Sequence, residues 1–300
     1  MPKRVTTAIA VEKMTKGYGR TVVVDDLSFT ARAGAVTGFF GPNGAGKTTA
    51  LKVVVGLARA DAGGVLINGA PPGRLDARTV GVAIEPCGAH PGRSGRAHLR
   101  SLAALAGLPM RRVAEVLEIV GLEGAARRRV GAYSMGMRQR LGLAAALLGD
   151  PDILVLDEPV NGLDPQGIRW LRTLVRERAA SGRTVLLSSH LLSEAASTVD
   201  DVVVIDRGRL VHSGPLDELE RAAGRGVSVL SPEPDRLAAV LDAAGGTSER
   251  QADGTLLVEG LDEARIADLA GRDRIPVHRL TPCTASLEDV FLDLTEGSRA

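Results

Sequence analysis

One glycine-rich segment has the residue types and spacing of a phosphate-binding loop. It reads Gly41-Pro42-Asn43-Gly44-Ala45-Gly46-Lys47-Thr48-Thr49 and matches the pattern G-x-x-x-x-G-K-[ST] in full. The glycines allow positive φ angles and a close approach to phosphate oxygens, while the N-terminus of a following helix adds unpaired N–H donors. Lys47 would reach the outer phosphates, and the Thr48 hydroxyl could bind Mg²⁺. The alternative is an ordinary glycine-rich turn, which the apolar strand before the segment and the helical pattern after it disfavour.

Two carboxylates follow a second apolar run. Residues 153–156 read Ile-Leu-Val-Leu, as expected for a central parallel strand that is covered on both faces, and Asp157 and Glu158 stand at its C-terminal end. Ligands of open α/β sheets bind outside these strand ends. Asp157 is therefore a candidate Mg²⁺ ligand, and Glu158 is a candidate base that could polarise water.

A histidine and a tyrosine are further candidates. A lone histidine after a strand is more often structural, but His190 ends the strand pattern that follows the carboxylate strand, so the two should meet at the same rim. Tyr18 lies between Gly17 and Gly19 in a segment that is typical of a turn, where its ring could face an adenine. A surface or half-buried turn tyrosine is the alternative.

The elements that must position these residues predict an α/β fold: a mixed core sheet with an antiparallel β subdomain near the N-terminus. Residues from about 87 to 148 change to Ala, Leu and Arg at helical spacing, which indicates a helical insertion between parallel strands. The last part has the order strand, helix, strand, strand, helix, strand (276–280) and a final helix (287–294), which suits a small ferredoxin-like α+β module. The predicted domains are residues 5–222 and 225–300.

Composition excludes several classes of protein. A net charge of +1 and an aromatic content of 2% argue against binding to nucleic acid through a broad basic surface or through stacked bases. No apolar run approaches the roughly 18 residues that a membrane span needs, and the N-terminus lacks the apolar region of a signal peptide. Cys87 and Cys283 are the only cysteines, which favours free thiols in a reducing cytoplasm.

Together these motifs resemble the ATP-binding subunits of ABC transporters over about residues 5–215. Four segments carry the likeness besides the glycine-rich segment. They are Tyr133-Ser134-Met135-Gly136-Met137-Arg138-Gln139-Arg140, whose first five residues form the signature loop, Ile153 to Pro159 with the acidic pair Asp157-Glu158, Asn161-Gly162-Leu163-Asp164-Pro165, and Ser188-Ser189-His190. They occur in the order of the family and with similar gaps. The resemblance implies an ABC cassette fold and a head-to-tail dimer that closes over ATP between the phosphate loop (residues 41–48) of one subunit and the signature loop of the other.

The resemblance also implies roles for individual residues. Tyr18 would stack on adenine, Lys47 and Thr48 with the rest of the loop would hold phosphate and Mg²⁺, and Asp157 would bind the metal. Glu158 would be the base, and His190 would contact the γ-phosphate. The partner subunit's ATP would be bound by the signature loop through three residues, Ser134, Gly136 and Met137. Residues from Met137 to Leu148 read as a helix whose N-terminus would face that anion.

The chain departs from the family pattern in two places, the signature loop and Glu85. The signature is normally Leu-Ser-Gly-Gly-Gln, and here only Ser134 and Gly136 are retained, so we expect ATP contact with an altered closure strength. Glu85 stands where the family has a glutamine; its carboxylate can still bind Mg²⁺, but it lacks the amide donor and brings a negative charge towards the γ-phosphate.

The C-terminal residues 286–295 are similar to the ending of ATPase subunits that serve bacterial exporters of drugs, antibiotics or lipids. An amphipathic closing helix would give the same pattern. The implied partners are an integral membrane permease and a second copy of the chain, without nucleic acid, at the cytoplasmic face of the cell membrane. The alternatives are a soluble ABC ATPase that acts outside transport and a regulatory cassette; the single phosphate loop disfavours the first and the intact Lys47, Glu158 and His190 disfavour the second.

Overall fold

The fold is taken from a computed structural model of the 300-residue chain. It describes residues 7–74, 76–84, 88–190, 197–222, 225–251 and 253–284. The chain divides into two compact units, one holding the described residues up to Leu216 and the other beginning at Asp217. The domain limits expected from the sequence, 5–222 and 225–300, stay predictions.

The first unit begins with an antiparallel sheet. Its three strands are β1 (Thr7–Tyr18), β2 (Thr21–Arg32) and β4 (Ala62–Ile67), with β1 in the middle. Alternate residues of β1 and β2 point into a core that includes Ile9 and Leu27, which are both fully buried. The predicted antiparallel subdomain is confirmed, but Tyr18 is the last residue of β1 rather than the middle of a turn.

A six-stranded mixed sheet forms the centre of this unit. In spatial order its strands are β5 (Val80–Ala83), β6 (Ile153–Leu156), β7 (Thr184–Ser189), β3 (Val36–Phe40), β8 (Asp201–Asp206) and β9 (Arg209–Pro215). The first five are parallel and β9 is antiparallel to β8. Strands β3, β6 and β7 are buried along their whole length, as their continuous apolar sequences require. Because they are parallel, their carboxyl ends lie at one edge.

In the described part of the first unit, five α-helices accompany these sheets. They are α1 (Lys47–Val54), α2 (Gly95–Leu105), α3 (Arg111–Ile119), α4 (Met135–Leu147) and α5 (Pro165–Ala180). The predicted helical insertion is thus formed by α2, α3 and α4. Helix α4 begins at Met135, two residues earlier than expected, because the Ser134 side chain caps it by accepting a hydrogen bond from the Met137 N–H.

The second unit has ferredoxin-like topology. Its elements are α6 (Leu216–Ala222), β10 (Arg225–Leu230), α7 (Pro234–Ala243), β11 (Thr247–Arg250), β12 (Leu256–Glu259), α8 (Glu263–Arg272) and β13 (Arg279–Thr284). The antiparallel sheet has the order β11-β12-β10-β13. The last strand lies three residues later than the predicted 276–280, and the helix expected at 287–294 lies outside the described residues.

Candidate functional site

The phosphate loop connects the carboxyl end of β3 to the first turn of α1. Gly44 and Gly46 have φ angles of 84° and 101°, a backbone region that favours glycine. A Cβ atom on Gly46 would lie 2.7 Å from the Val23 carbonyl oxygen, so the β2 backbone leaves no room for a side chain. Gly46 supplies no side-chain cap to α1. The N-terminus of α1 therefore has room for an anion.

Lys47 points back across this loop. Its Nζ donates to the Gly41 carbonyl oxygen at 2.6 Å and to the Pro42 carbonyl oxygen at 3.3 Å. The same ammonium lies 3.4 Å from Glu158 Oε1. The Lys47 residue is only 6% exposed, so its charge is held in place by these oxygens, which compensate for lost hydration.

Asp157 receives two hydroxyl groups. Thr48 Oγ1 donates to Asp157 Oδ2 at 2.7 Å, and Ser188 Oγ donates to Asp157 Oδ1 at 2.6 Å. Asp157 is 4% exposed and Ser188 is fully buried. A buried carboxylate needs such partners, and here they come from the first turn of α1 and from β7. The hydrogen bonds therefore join three elements at the edge of the sheet.

Glu158 lies at the centre of the charged groups. Its Oε2 is 3.0 Å from His190 Nδ1, and its Oε1 faces Lys47. Its backbone N–H donates to Ser188 Oγ at 2.8 Å. The φ angle of Glu158 is 45°, in the left-handed region that non-glycine residues rarely adopt. The surrounding contacts thus hold a carboxylate at a strained turn, as is common at functional sites.

Comparison with known proteins identifies the family. The ABC transporter family model matches residues 24–161, and a family described as a domain of unknown function matches residues 225–288. The chain is 38% identical to the Nod factor export ATP-binding protein I of Burkholderia orbicola (strain AU 1054), over 96% of each protein. It is 33% identical to the bacitracin transport ATP-binding protein BcrA of Bacillus licheniformis, over 97% of this chain and 98% of BcrA. The chain belongs to the ABC transporter ATP-binding subunits.

A solved structure agrees with this assignment. The structure of an ATP-binding subunit of an ABC transporter superposes with a TM-score of 0.66 at 30% identity, covering 72% of this chain and 93% of that structure. The ABC cassette fold expected from the sequence is confirmed. This ABC subunit binds ATP and is an ATPase, as its family assignment establishes.

The signature loop of the ABC subunit lies at the start of α4. Ser134 and Met135 are exposed, whereas Gly136 and Met137 are half-buried. A Cβ atom on Gly136 would lie 2.7 Å from the Gly162 carbonyl oxygen, so this glycine permits a close approach of two backbones. The Met135 side chain packs over Gly162. The structure thus brings the signature loop against residues that follow the acidic pair in the same chain.

Tyr133 explains one departure from the family signature. Its residue is 3% exposed, and its hydroxyl donates to the Ala125 carbonyl oxygen at 2.8 Å. Burial raises the pKa of this phenol above its ordinary value. A Cβ atom on Gly95 would lie 2.3 Å from the same hydroxyl. The ring therefore fixes the signature loop to other parts of the helical insertion, a role that a leucine could fill only by packing.

The structure brings together Lys47, Thr48, Asp157, Glu158 and His190, as the sequence analysis expected for one rim. Tyr18 is a separate case: it is 52% exposed, and Lys16 Nζ lies 5.3 Å from the centre of its ring. Glu85 lies outside the described residues.

Two residues of the site were missed by sequence reasoning. Ser188 was assigned no role, although its position at the end of the strand next to the acidic pair was a usable signal. Gln139 was quoted only as part of a motif, yet its side chain contacts the turn at Glu158 and Pro159. Nothing in its spacing from residue 158 could have indicated that contact.

Proposed function

We propose that this ABC subunit drives the export of a drug, antibiotic or lipid substrate through a separate membrane permease. The proposed ATP hydrolysis is supported by one observation. Five residues lie together at one edge of the mixed sheet, namely Lys47, Thr48, Asp157, Glu158 and His190. Export is supported by the relatives, one of which is named for bacitracin transport and another for Nod factor export.

The phosphates of ATP would lie on the phosphate loop. Backbone or side-chain groups of the residues from Gly41 to Thr49 would bind them. Pro42, Asn43 and Ala45 would set the path of the loop between its glycines. Lys47 Nζ now donates to two carbonyl oxygens of this loop. Phosphate oxygens carry more negative charge than these carbonyls and would take over the ammonium when ATP binds.

Hydrolysis would use Glu158 as the general base. Its carboxylate is only 16% exposed, and it lies between Lys47 Nζ and His190 Nδ1. A base must lie within hydrogen-bond reach of the water that it polarises, and the left-handed turn at residue 158 directs this carboxylate to the phosphate side of the sheet. His190 would contact the γ-phosphate while its Nδ1 keeps Glu158 in place.

A divalent cation fits the oxygen atoms that are present. Thr48 Oγ1 and Asp157 Oδ2 are 2.7 Å apart, and Mg²⁺ prefers hard oxygen ligands, usually one or two carboxylates together with substrate phosphates. Among the described residues there is no group of three or more His, Cys, Asp and Glu that could hold a metal, so phosphate oxygens would have to complete the site. Mg²⁺ would neutralise charge on the phosphates. Glu85 is proposed as a further oxygen ligand.

A second copy of the chain would complete the ATP site. The first turn of α4 carries the positive end of a helix dipole, and Ser134 at its cap is exposed. Ser134, Gly136 and Met137 would therefore contact ATP bound to the partner's phosphate loop, in a head-to-tail dimer. The exposed ring of Tyr18 would stack on the adenine of its own subunit's ATP.

Coupling to transport would need a contact with an integral membrane permease. No helix in the described part of the chain is both long enough and apolar enough to span a bilayer. The helical insertion is the proposed docking surface, and it exposes 85% of Leu105 and 47% of Met110. The subunit would thus work at the cytoplasmic face of the cell membrane, without nucleic acid.

ATP hydrolysis is tested by phosphate release from the purified protein with and without Mg²⁺. The wild-type protein should release phosphate only with Mg²⁺, and Glu158→Gln should bind ATP but lose about 100-fold or more in kcat, in the range of a lost general base. Equal kcat values for the two proteins would refute the assigned base.

Export is tested with the membrane protein encoded in the neighbouring reading frame. The two proteins should copurify, and cells that express both should accumulate less of a transported drug, antibiotic or lipid than cells that carry Glu158→Gln. Normal ATPase activity with no membrane partner would contradict the transport proposal while leaving the ATPase in place.

A further inference from the structure

One face of helix α4 lies on the turn that carries Glu158. Residues 135 and 139 are four apart and therefore share a face of the helix, next to residue 136. Met135 packs over Gly162, Gly136 approaches the Gly162 carbonyl oxygen, and Gln139 reaches the preceding turn. The face thus covers residues 158–162, directly after Asp157.

Gln139 makes the polar contact in this face. Its Nε2 donates to the Pro159 carbonyl oxygen at 3.2 Å and lies 3.5 Å from the Glu158 carbonyl oxygen. The side-chain amide therefore lies against two consecutive carbonyl groups of the turn that carries Glu158.

The Glu158 backbone depends on such contacts. Its φ angle of 45° is unfavourable for a residue with a side chain, and surrounding structure must hold it there. Ser188 Oγ holds its N–H, and Gln139 holds the carbonyls that follow. A rotation of this turn would carry the Glu158 carboxylate away from Lys47 and His190, which lie only 3.4 Å and 3.0 Å from it.

We propose that Gln139 is a positioning residue for Glu158, which ties the signature helix α4 to the base of its own subunit. The inference rests on the proposed function of Glu158 and of the dimer. The signature loop would contact the partner's ATP, while Glu158 acts on ATP bound in its own subunit. When α4 binds the partner's ATP, Gln139 therefore sets the position of Glu158 beside the ATP of its own subunit.

Removal of the amide donor tests this assignment. In Gln139→Leu and in Gln139→Glu, kcat for phosphate release should fall by about tenfold, since a small misplacement of a catalytic group has effects of this size or larger. The dissociation constant for ATP should stay within about twofold of wild type, because the side-chain amide of Gln139 bonds to the turn at residues 158 and 159 and not to the phosphate loop. The Gln139→Glu side chain has nearly the same size, so it separates loss of the donor from loss of packing.

Rescue and controls complete the experiment. Gln139→Lys restores a donor of similar reach and should recover at least about half of the wild-type kcat. Gln251→Leu, a matched change on the second unit, should leave kcat unchanged. A kcat for Gln139→Leu and Gln139→Glu within about threefold of wild type would overturn the inference. A loss of kcat that Gln139→Lys fails to recover would also overturn it, as would a loss that is explained by a rise in the ATP dissociation constant.

The two failures are distinguishable. If Glu158→Gln keeps the wild-type kcat, the proposed base is wrong and the inference falls with it. If Glu158→Gln loses its kcat and Gln139→Leu does not, the base stands and only the positioning role is refuted. If Gln139→Leu fails to fold, Gln139→Glu decides by the same criteria.

Discussion

Lys47 Nζ lies 3.4 Å from Glu158 Oε1, so the phosphate loop and the acidic pair are joined by a charged contact within one chain. Both side chains are largely buried, at 6% and 16% exposure, and each needs a partner of opposite charge. When ATP binds, its phosphates would have to attract the Lys47 ammonium away from Glu158. The Glu158 carboxylate would then contact only His190 and water. If Glu158 is the base, nucleotide binding and its activation would thereby be linked through the Lys47 ammonium group.

Lys47→Ala should weaken ATP binding. It removes hydrogen bonds to a charged phosphate, which are worth about 1.5–3 kcal/mol, so the dissociation constant should rise by about 10- to 150-fold. Titration of a fluorescent ATP analogue measures the change. Lys52→Ala, in the last turn of the same helix, is the matched control and should bind ATP like wild type. Equal affinities of the two variants would show that Lys47 does not contact phosphate.

Ser188→Ala should destabilise the protein and slow hydrolysis. The hydroxyl donates to Asp157 Oδ1 and accepts from the Glu158 N–H, and it is fully buried. Its loss leaves a buried carboxylate and an N–H without this partner, which costs about 1–3 kcal/mol of unfolding free energy. Urea unfolding gives the stability, and phosphate release gives kcat.

Thr37→Val is the control for Ser188→Ala. Thr37 Oγ1 is also buried in a strand of the central sheet but has no hydrogen-bond partner among the residues that the structure describes. Removal of an unpaired hydroxyl should be neutral or stabilising. A loss of stability as large as that of Ser188→Ala would show that the bridge to Asp157 and Glu158 is not the cause.

Gly95→Ala should destabilise the helical insertion, although alanine favours helices. The new Cβ atom would lie 2.3 Å from the Tyr133 hydroxyl, which is buried and has little room to move. Overpacking of this kind costs about 1–3 kcal/mol. In the Tyr133→Phe background the hydroxyl is absent, so Gly95→Ala should cost less there. A double-mutant cycle of urea unfolding measures the coupling, and additive costs would contradict the contact.

Acid should weaken the contacts of Asp150. Hydrogen bonds from Arg183, and also from Arg178, hold the pKa of this carboxyl at about 2, below its ordinary value of 3.8. Because the folded-state pKa is depressed, the stabilisation is present above pH 3.8 and disappears as the pH falls towards 2. The side chain is 46% exposed, so solvent screening keeps the effect below about 1 kcal/mol.

Asp150→Asn tests this pH dependence. The variant should be slightly less stable than wild type at neutral pH and should approach it near pH 2, when unfolding by urea is measured at each pH. Asp235→Asn is a control, because its carboxylate is 91% exposed and makes one ion pair on the surface. Parallel stability curves for Asp150→Asn and wild type would contradict the assigned pKa.

Much of the arrangement was predictable because it depends on local periodicity. The buried strands β3 and β6 have continuous apolar sequences, and parallel strands place their carboxyl ends together. The rim that holds Lys47, Asp157 and His190 follows from this rule. The start of α4 was predicted two residues late because the cap depends on the Ser134 side chain, and β13 was predicted three residues early because its register depends on pairing with β10.

The sequence by itself determined the phosphate loop, the acidic pair and the family, because these are patterns of neighbouring residues. Only the tertiary structure decided that Ser188 bridges Asp157 and Glu158, and that Gln139 reaches the Glu158–Pro159 turn from 19 residues away in the chain. Such contacts depend on how a helix docks on a sheet edge. They arise from packing and hydrogen-bond geometry between distant segments, which no spacing along the chain encodes.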